Sequence, residues 1–204
     1  MLKRLFDLLF AAVLLVLLFP LMTSFALAVA LTSTGGAFFA QQRVGRGGRP
    51  FRLLKFRTMR PGSEALGQLT IGGRDPRITA VGRVLRKTKL DELPQLLNVL
   101  AGHMSVVGPR PEVPKYVALY TPRQREVLSV RPGITGLASL DYIDENELLA
   151  RAADPEQTYL REVMPAKLEL DLRYVEQHGF LLDLRIIAAT VAKVLGGWKA
   201  PTAP

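Results

Sequence analysis

Cysteine is absent from the 204 residues, and histidine occurs twice, as His103 and His178. Without thiols there is no disulfide framework, no thiolate metal site and no cysteine nucleophile, and the composition fits a reducing compartment. The two histidines lie far apart and belong to no HxxH or HExxH pattern, which argues against zinc. No Gly-x-Ser-x-Gly elbow supports acyl transfer by a serine and a histidine. Negative charge is scarce too, with 18 Asp and Glu against 27 Lys and Arg, a formal net charge of +9. That balance points to a polyanionic partner, whether nucleic acid, an anionic lipid surface or a phosphorylated substrate. The chemistry left open is that of carboxylates and arginines, which suits phosphoryl transfer.

The first feature present in excess is apolar length. From Leu5 to Leu31 the run is broken only by Asp7, Pro20, Thr23 and Ser24. It is long enough to reach across a hydrocarbon core and longer than the apolar part of a signal peptide. Lys3 and Arg4 precede it, and Arg43, Arg46, Arg49, Arg52, Lys55, Arg57 and Arg60 follow it. The positive-inside rule places both flanks on one side, which a helix bent at Pro20 satisfies and a straight span does not. A re-entrant hairpin is therefore expected, with Thr23 and Ser24 as partners for the backbone that proline frees.

Beyond Gly35 and Gly36, strands are expected around Phe38 to Val44 and Phe51 to Phe56, joined by Gly-Arg-Gly-Gly-Arg-Pro as a basic hairpin beside the membrane. The turn lacks the Gly-Lys-Ser/Thr ending of a P-loop. Residues 61 to 75 read as a mobile polar loop, and Asp75-Pro76 as the start of a helix carrying Ile78, Val81, Val84 and Leu85. Short helices follow Pro111, Thr121-Pro122 and Asp154-Pro155, and longer ones cover Pro165 to Gln177 and Leu182 to Leu195. In the last, Leu184, Ile187, Val191 and Val194 form a face suited to a core or to the headgroup plane. The fold class is α+β, predominantly helical. Residues 1–36 form the membrane-anchoring helix, 37–196 a catalytic domain with interfacial helices, and 197–204 a tail.

The chain is organised around residues 86 to 111. Asp91 and Glu92 lie between a cationic cluster (Arg86, Lys87, Lys89) and a Pro-Arg-Pro turn (Pro109, Arg110, Pro111). Such an arrangement can hold phosphates against a carboxylate. Asp91 also stands where a helix should begin, with Leu93, Leu96, Leu97 and Leu100 at core spacing, so on spacing alone it is an N-cap. Both roles are compatible, and a helix N-terminus would keep the carboxylate pKa low. A non-enzymatic basic adaptor for anionic lipid or nucleic acid, built on Arg43 to Arg60, is the alternative function.

Several motifs carry a resemblance: Lys3-Arg-x-Phe-Asp7, Lys55-Phe-Arg-Thr-Met59, Asp75-x-Arg-Ile-Thr79, Gly82-x-x-Leu-Arg86, Leu90-Asp-Glu-Leu-Pro-Gln-Leu96, Asn98-Val-Leu, Met104-Ser, Val107-Gly-Pro-Arg-Pro111 and Arg131-Pro-Gly-Ile-Thr-Gly136. In order and over nearly the whole chain, they resemble the bacterial sugar transferase family, the monotopic phosphoglycosyl transferases, in its small members. The resemblance implies a re-entrant helix and a place on the cytoplasmic face of the bacterial inner membrane. It implies Mg²⁺-dependent transfer of a sugar-1-phosphate from a UDP-sugar to polyprenyl phosphate, with release of UMP, a first step of glycoconjugate or exopolysaccharide assembly. Asp91 and Glu92 match the family's acidic dyad, with Asp91 as covalent nucleophile and both as metal ligands. Arg86 and Arg110 match its phosphate- or nucleotide-binding arginines, and Lys55, Arg57 and Arg131 fall in motifs expected to bind substrate. Phosphorylated substrates and membrane lipid, not nucleic acid, are then the polyanions, and the oligomeric state is left open. The chain departs from many relatives at Phe19, where they have serine, and after Gly136, where it lacks their Trp-containing pattern.

Overall fold

The computed structural model describes residues 2–67, 69–73 and 75–196. Helix α1 (Leu2–Thr32) contains Pro20 and is long and apolar enough to cross a membrane. Its middle is uncovered: Val16, Leu17 and Phe19 are each about two-thirds or more exposed. Its two ends are not. Near the start, Asp7 is buried and accepts hydrogen bonds from Ser105 Oγ (2.8 Å) and the Val106 N–H (3.1 Å). Lys3 Nζ pairs with the buried Asp183 (2.6 Å), which also accepts from Tyr174 Oη. Near the far end, Val29 is buried with Phe56 and Leu85. Thr23 and Ser24 donate to the carbonyls of Phe19 and Pro20 (2.9 and 3.0 Å), one turn back, a pattern that bends helices. They do not reach Val16, whose carbonyl the missing proline N–H leaves free.

Strands β1 (Phe38–Val44) and β2 (Pro50–Phe56) form the expected antiparallel hairpin, in register from Phe38 opposite Phe56 to Val44 opposite Pro50. Alternation puts Phe51, Leu53 and Lys55 on one face of β2, so the first two enter the core and the lysine follows them inward. The 61–75 segment, expected to be mobile, is strapped among its described residues by Arg77. Its guanidinium donates to the carbonyls of Gly67 and Leu69 (2.9 and 2.6 Å) and pairs with Asp75. Asp75 is thereby engaged and starts no helix. Helix α2 (Ala80–Lys87) begins later, where Thr79 Oγ1 accepts from the Gly82 N–H (3.0 Å). Ile78 stays outside it, bridged to Met59.

Helix α3 (Gln95–Leu100) is clipped to β2 by Asn98, whose side chain accepts from the Leu54 N–H (2.9 Å) and donates to the Arg52 carbonyl (2.8 Å). Strand β3 (Ser105–Val107) pairs in parallel with β4 (Gly133–Thr135). Between them lie α4 (Pro114–Val117) and a 3₁₀ segment at Gln124–Ser129. Then follow α5 (Leu137–Asp141), α6 (Glu145–Ala150) and α7 (Pro155–Thr158), the last capped by Asp154 as expected. A π turn at Tyr159–Val163 joins α7 to α8 (Met164–Gln177), and α9 (Phe180–Val194) completes the described chain. The face expected of α9 is only partly covered: Leu184, Val191 and Val194 are exposed and Ile187 is half-buried, while Asp183 and Ile186 are buried. The architecture is α+β and mostly helical. The 197–204 tail lies outside the described residues.

Candidate active site

The acidic pair is not a helix cap. Asp91 and Glu92 occupy a 3₁₀ turn at Leu90–Glu92, and α3 starts one turn later with Pro94 at its N-cap position. The turn is entered through Lys89 in the left-handed conformation (φ 58°), which is uncommon for a residue with a side chain and reverses the chain from α2 into the pair. Asp91 is buried, and no described residue donates a hydrogen bond to its carboxylate. Burial, and then the negative charge of Glu92, raise its pKa, the reverse of what a helix N-terminus would do.

Glu92 is held differently. Arg110 Nη1 donates to its Oε2 (3.2 Å), Arg110 Nη2 grips its Oε1, and Lys55 Nζ lies 3.5 Å from Oε1. Burial pushes the Glu92 carboxyl up, and the charges of Arg110 and Lys55 overcome it and hold the group well below the usual carboxylate range. Burial lowers Lys55 to about 8 against the attraction of Glu92. Adjacent in sequence, the two carboxyls are thus driven apart in pKa.

Lys55, Arg86, Lys89, Asp91, Glu92 and Arg110 line one cavity of about 540 Å³. Arg86 is aimed by Thr70 Oγ1 (2.7 Å) and Thr58 Oγ1 (3.3 Å). Arg57 also borders the cavity, but its guanidinium is tied to the carbonyls of Gly36 and Phe38 (3.2 and 3.0 Å). Arg131 is not among the lining residues and donates to the Gly102 carbonyl (3.0 Å). Its motif matters through its glycines. A Cβ on Gly133 would lie 2.1 Å from the Gly108 nitrogen, and one on Gly136 2.4 Å from the Gly108 oxygen. Only glycine lets the two arginine-bearing turns lie side by side and present Arg110 to Glu92.

Sequence reasoning missed another part of the lining. Arg43 turns inward to Glu112 (3.0 Å), which Tyr159 Oη also reaches, and Lys167 and Asp171 of α8 face the same cavity. These side chains are scattered from Arg43 to Asp171 in no motif, so the only signal was the i, i+4 spacing of Lys167 and Asp171. The cavity also has an apolar lining, which includes Phe10 and Leu14 of α1 and Ile187, Val191 and Val194 of α9.

No group of three or more metal-ligating side chains occurs among the described residues, so there is no all-protein metal cage. Two hard carboxylates in a cationic cavity, one of them free of hydrogen bonds, fit Mg²⁺, which binds through one or two carboxylates plus substrate phosphates.

Residues 1–197 match the family model described as Bacterial sugar transferase. The chain belongs to the bacterial sugar transferase family. Within it, the chain is 42% identical over 195 residues to the uncharacterized sugar transferase EpsL of Bacillus subtilis (strain 168), covering 95% of this chain and 87% of that one. It is 39% identical over 196 residues to a UDP-glucose:undecaprenyl-phosphate glucose-1-phosphate transferase of Caulobacter vibrioides, covering 95% and 69%. It is 38% identical over 204 residues to the UDP-N-acetylgalactosamine-undecaprenyl-phosphate N-acetylgalactosaminephosphotransferase of Aeromonas hydrophila, covering 97% of this chain and 44% of that one. This bacterial sugar transferase therefore spans most of the first relative and less than half of the last. Membership makes it a transferase, and its apolar α1 associates it with a membrane.

Proposed function

We propose that this bacterial sugar transferase moves a sugar-1-phosphate from a UDP-sugar to polyprenyl phosphate at the cytoplasmic face of the bacterial plasma membrane, releasing UMP. The observation that carries the reading is the buried, unbonded Asp91 carboxylate in a cavity whose lining includes both a cationic cluster and apolar side chains of α1 and α9. A diphosphate and a lipid phosphate can both be brought to such a carboxylate. The names of the Caulobacter and Aeromonas relatives support the same pair of substrates.

Lys55, Arg86 and Arg110 neutralise the phosphates, which would otherwise repel an anionic nucleophile. An Asp91 oxygen attacks the sugar-bearing phosphorus, the bond to the bridging oxygen breaks, and UMP leaves with that electron pair. The product is an acyl phosphate, which a phosphate oxygen of the lipid displaces to regenerate the carboxylate. Mg²⁺ held by Asp91 and Glu92 with the donor's phosphates would supply further charge neutralisation. Glu92, locked as an anion by Arg110, keeps the site's charge fixed while Asp91 reacts. The ends of α1 anchored to one body support a helix that enters and returns, leaving both flanks on the same side.

Incubation with UDP-glucose or UDP-N-acetylgalactosamine and Mg²⁺, without lipid, tests the mechanism by intact mass. One sugar-phosphate should appear on the wild type and none on Asp91→Asn. A ternary-complex rate law with no adduct would replace it with direct attack by the lipid phosphate.

A further inference from the structure

The cavity lining contains a group the reaction above does not use. On α8, Met164, Lys167, Leu168 and Asp171 recur at helical spacing and line the cavity. Asp171 is only 4% exposed, and its Oδ1 has no hydrogen-bond partner among the described residues. Lys167, one turn earlier, would be its natural partner. Its ammonium instead takes Glu145 (2.5 Å) and lies over the Tyr159 ring. Burial raises the Asp171 carboxyl to about 7, against the opposing pull of Lys167 and Arg110. Folded proteins rarely leave a buried carboxylate oxygen unpaired, and where they do the atom calls for a partner that arrives later.

We propose that Asp171 recognises the sugar of the nucleotide-activated donor by accepting a hydrogen bond from one of its hydroxyl groups. This deepens, and rests on, the donor assignment above. A carboxylate repels phosphate, so the part of the ligand beside it is uncharged and rich in donors. Position then separates sugar from base. Asp171 faces the backbone of Arg110, whose guanidinium grips Glu92 beside Asp91. The moiety nearest the attacked phosphorus is the sugar it carries, whereas the base departs with the other phosphate. Uracil offers a single N–H, and the ribose, which also carries hydroxyls, departs with the other phosphate, so UDP alone serves as its control.

Calorimetry on the full-length protein in detergent with Mg²⁺ tests this, using UDP, UDP-glucose and UDP-N-acetylgalactosamine against wild type, Asp171→Asn and Asp171→Leu. Both variants should bind UDP within about twofold of wild type, and the Leu variant should bind the preferred UDP-sugar about tenfold or more weakly. Because a buried carboxylate with one oxygen unpaired is destabilising, the ligand-free Asn variant should melt higher than wild type. A role in packing alone would instead lower the melting temperature and weaken UDP and UDP-sugar alike, which overturns the proposal. So does undiminished UDP-sugar binding in the Leu variant. Failure of the wild type to bind either UDP or UDP-sugar would overturn the donor assignment itself, and this proposal with it.

Discussion

Two neighbouring carboxyls do different work here because they have different company. Glu92 is gripped by a guanidinium and approached by an ammonium, whereas Asp91 is buried with no donor. The proposed reaction needs Asp91 deprotonated and Lys55 protonated at once, and their pKa values bound the window. Asp91 titrates above its ordinary value and must lose its proton, so kcat/KM should rise with pH through a limb above the normal aspartate range. Lys55 loses its charge as pH passes about 8, so kcat/KM should then fall. Lys55→Met should remove that alkaline limb and lower kcat/KM about tenfold or more, and Lys55→Arg should move it upward. pH profiles of UMP release measure both. An unchanged alkaline limb in Lys55→Met would assign it to another group. None of this could be read from the pair itself. Aspartate before an apolar helix looks like a cap, and only the left-handed Lys89 and the later start of α3 show that it is not.

At the scale of elements, strands were more legible than helix starts and faces. The hairpin at β1 and β2 follows from alternation bounded by glycines, a local signal. The start of α2 was misplaced because Asp75 and Thr79 are both good caps, and Arg77, by claiming Asp75, decides between them. The face of α9 that carries Leu184, Val191 and Val194 is as apolar as a core face yet exposed, so periodicity alone did not orient it. The motif glycines acquire their meaning from β3 and β4, which bring residues 25 positions apart within a Cβ's width. Gly133→Ala would push a methyl group into the Gly108 backbone. It should cost about 1 to 3 kcal/mol, as overpacking does, and displace Arg110 from Glu92. A lowered melting temperature with reduced UMP release is expected. Gly179→Ala, whose nearest neighbour would be 3.9 Å away, is the control expected to change little. Equal melting temperatures for the two variants would remove the close approach as the reason for glycine.

For the whole molecule, the decisive feature is that α1 is docked at both ends and bare in the middle. Asp7 and Lys3 hold one end through buried polar pairs, and Val29 packs the other against Phe56 and Leu85. A helix crossing a bilayer would carry one end away from the body. Because the chain has no cysteine, Leu2→Cys and Gln42→Cys, both at exposed positions, give clean labels. Both should react with an impermeant thiol reagent from the cytoplasmic side alone, and labelling from opposite sides would establish a spanning helix.

The residues alone determined what depends on local pattern or on ordered motifs: the apolar α1, the hairpin, the acidic dyad, its arginines and the family to which they belong. Periodicity, charge counts and short spacings are properties of neighbouring positions, so they survive without coordinates. Tertiary structure decided what depends on who meets whom. It withdrew Arg131 from the cavity and tied Arg57 to backbone carbonyls. It turned Arg43 inward, split the pKa values of Asp91 and Glu92, and left Asp171 Oδ1 without a partner in the same cavity. Burial and electrostatic environment are sums over groups distant in sequence, and no window of neighbouring residues contains them.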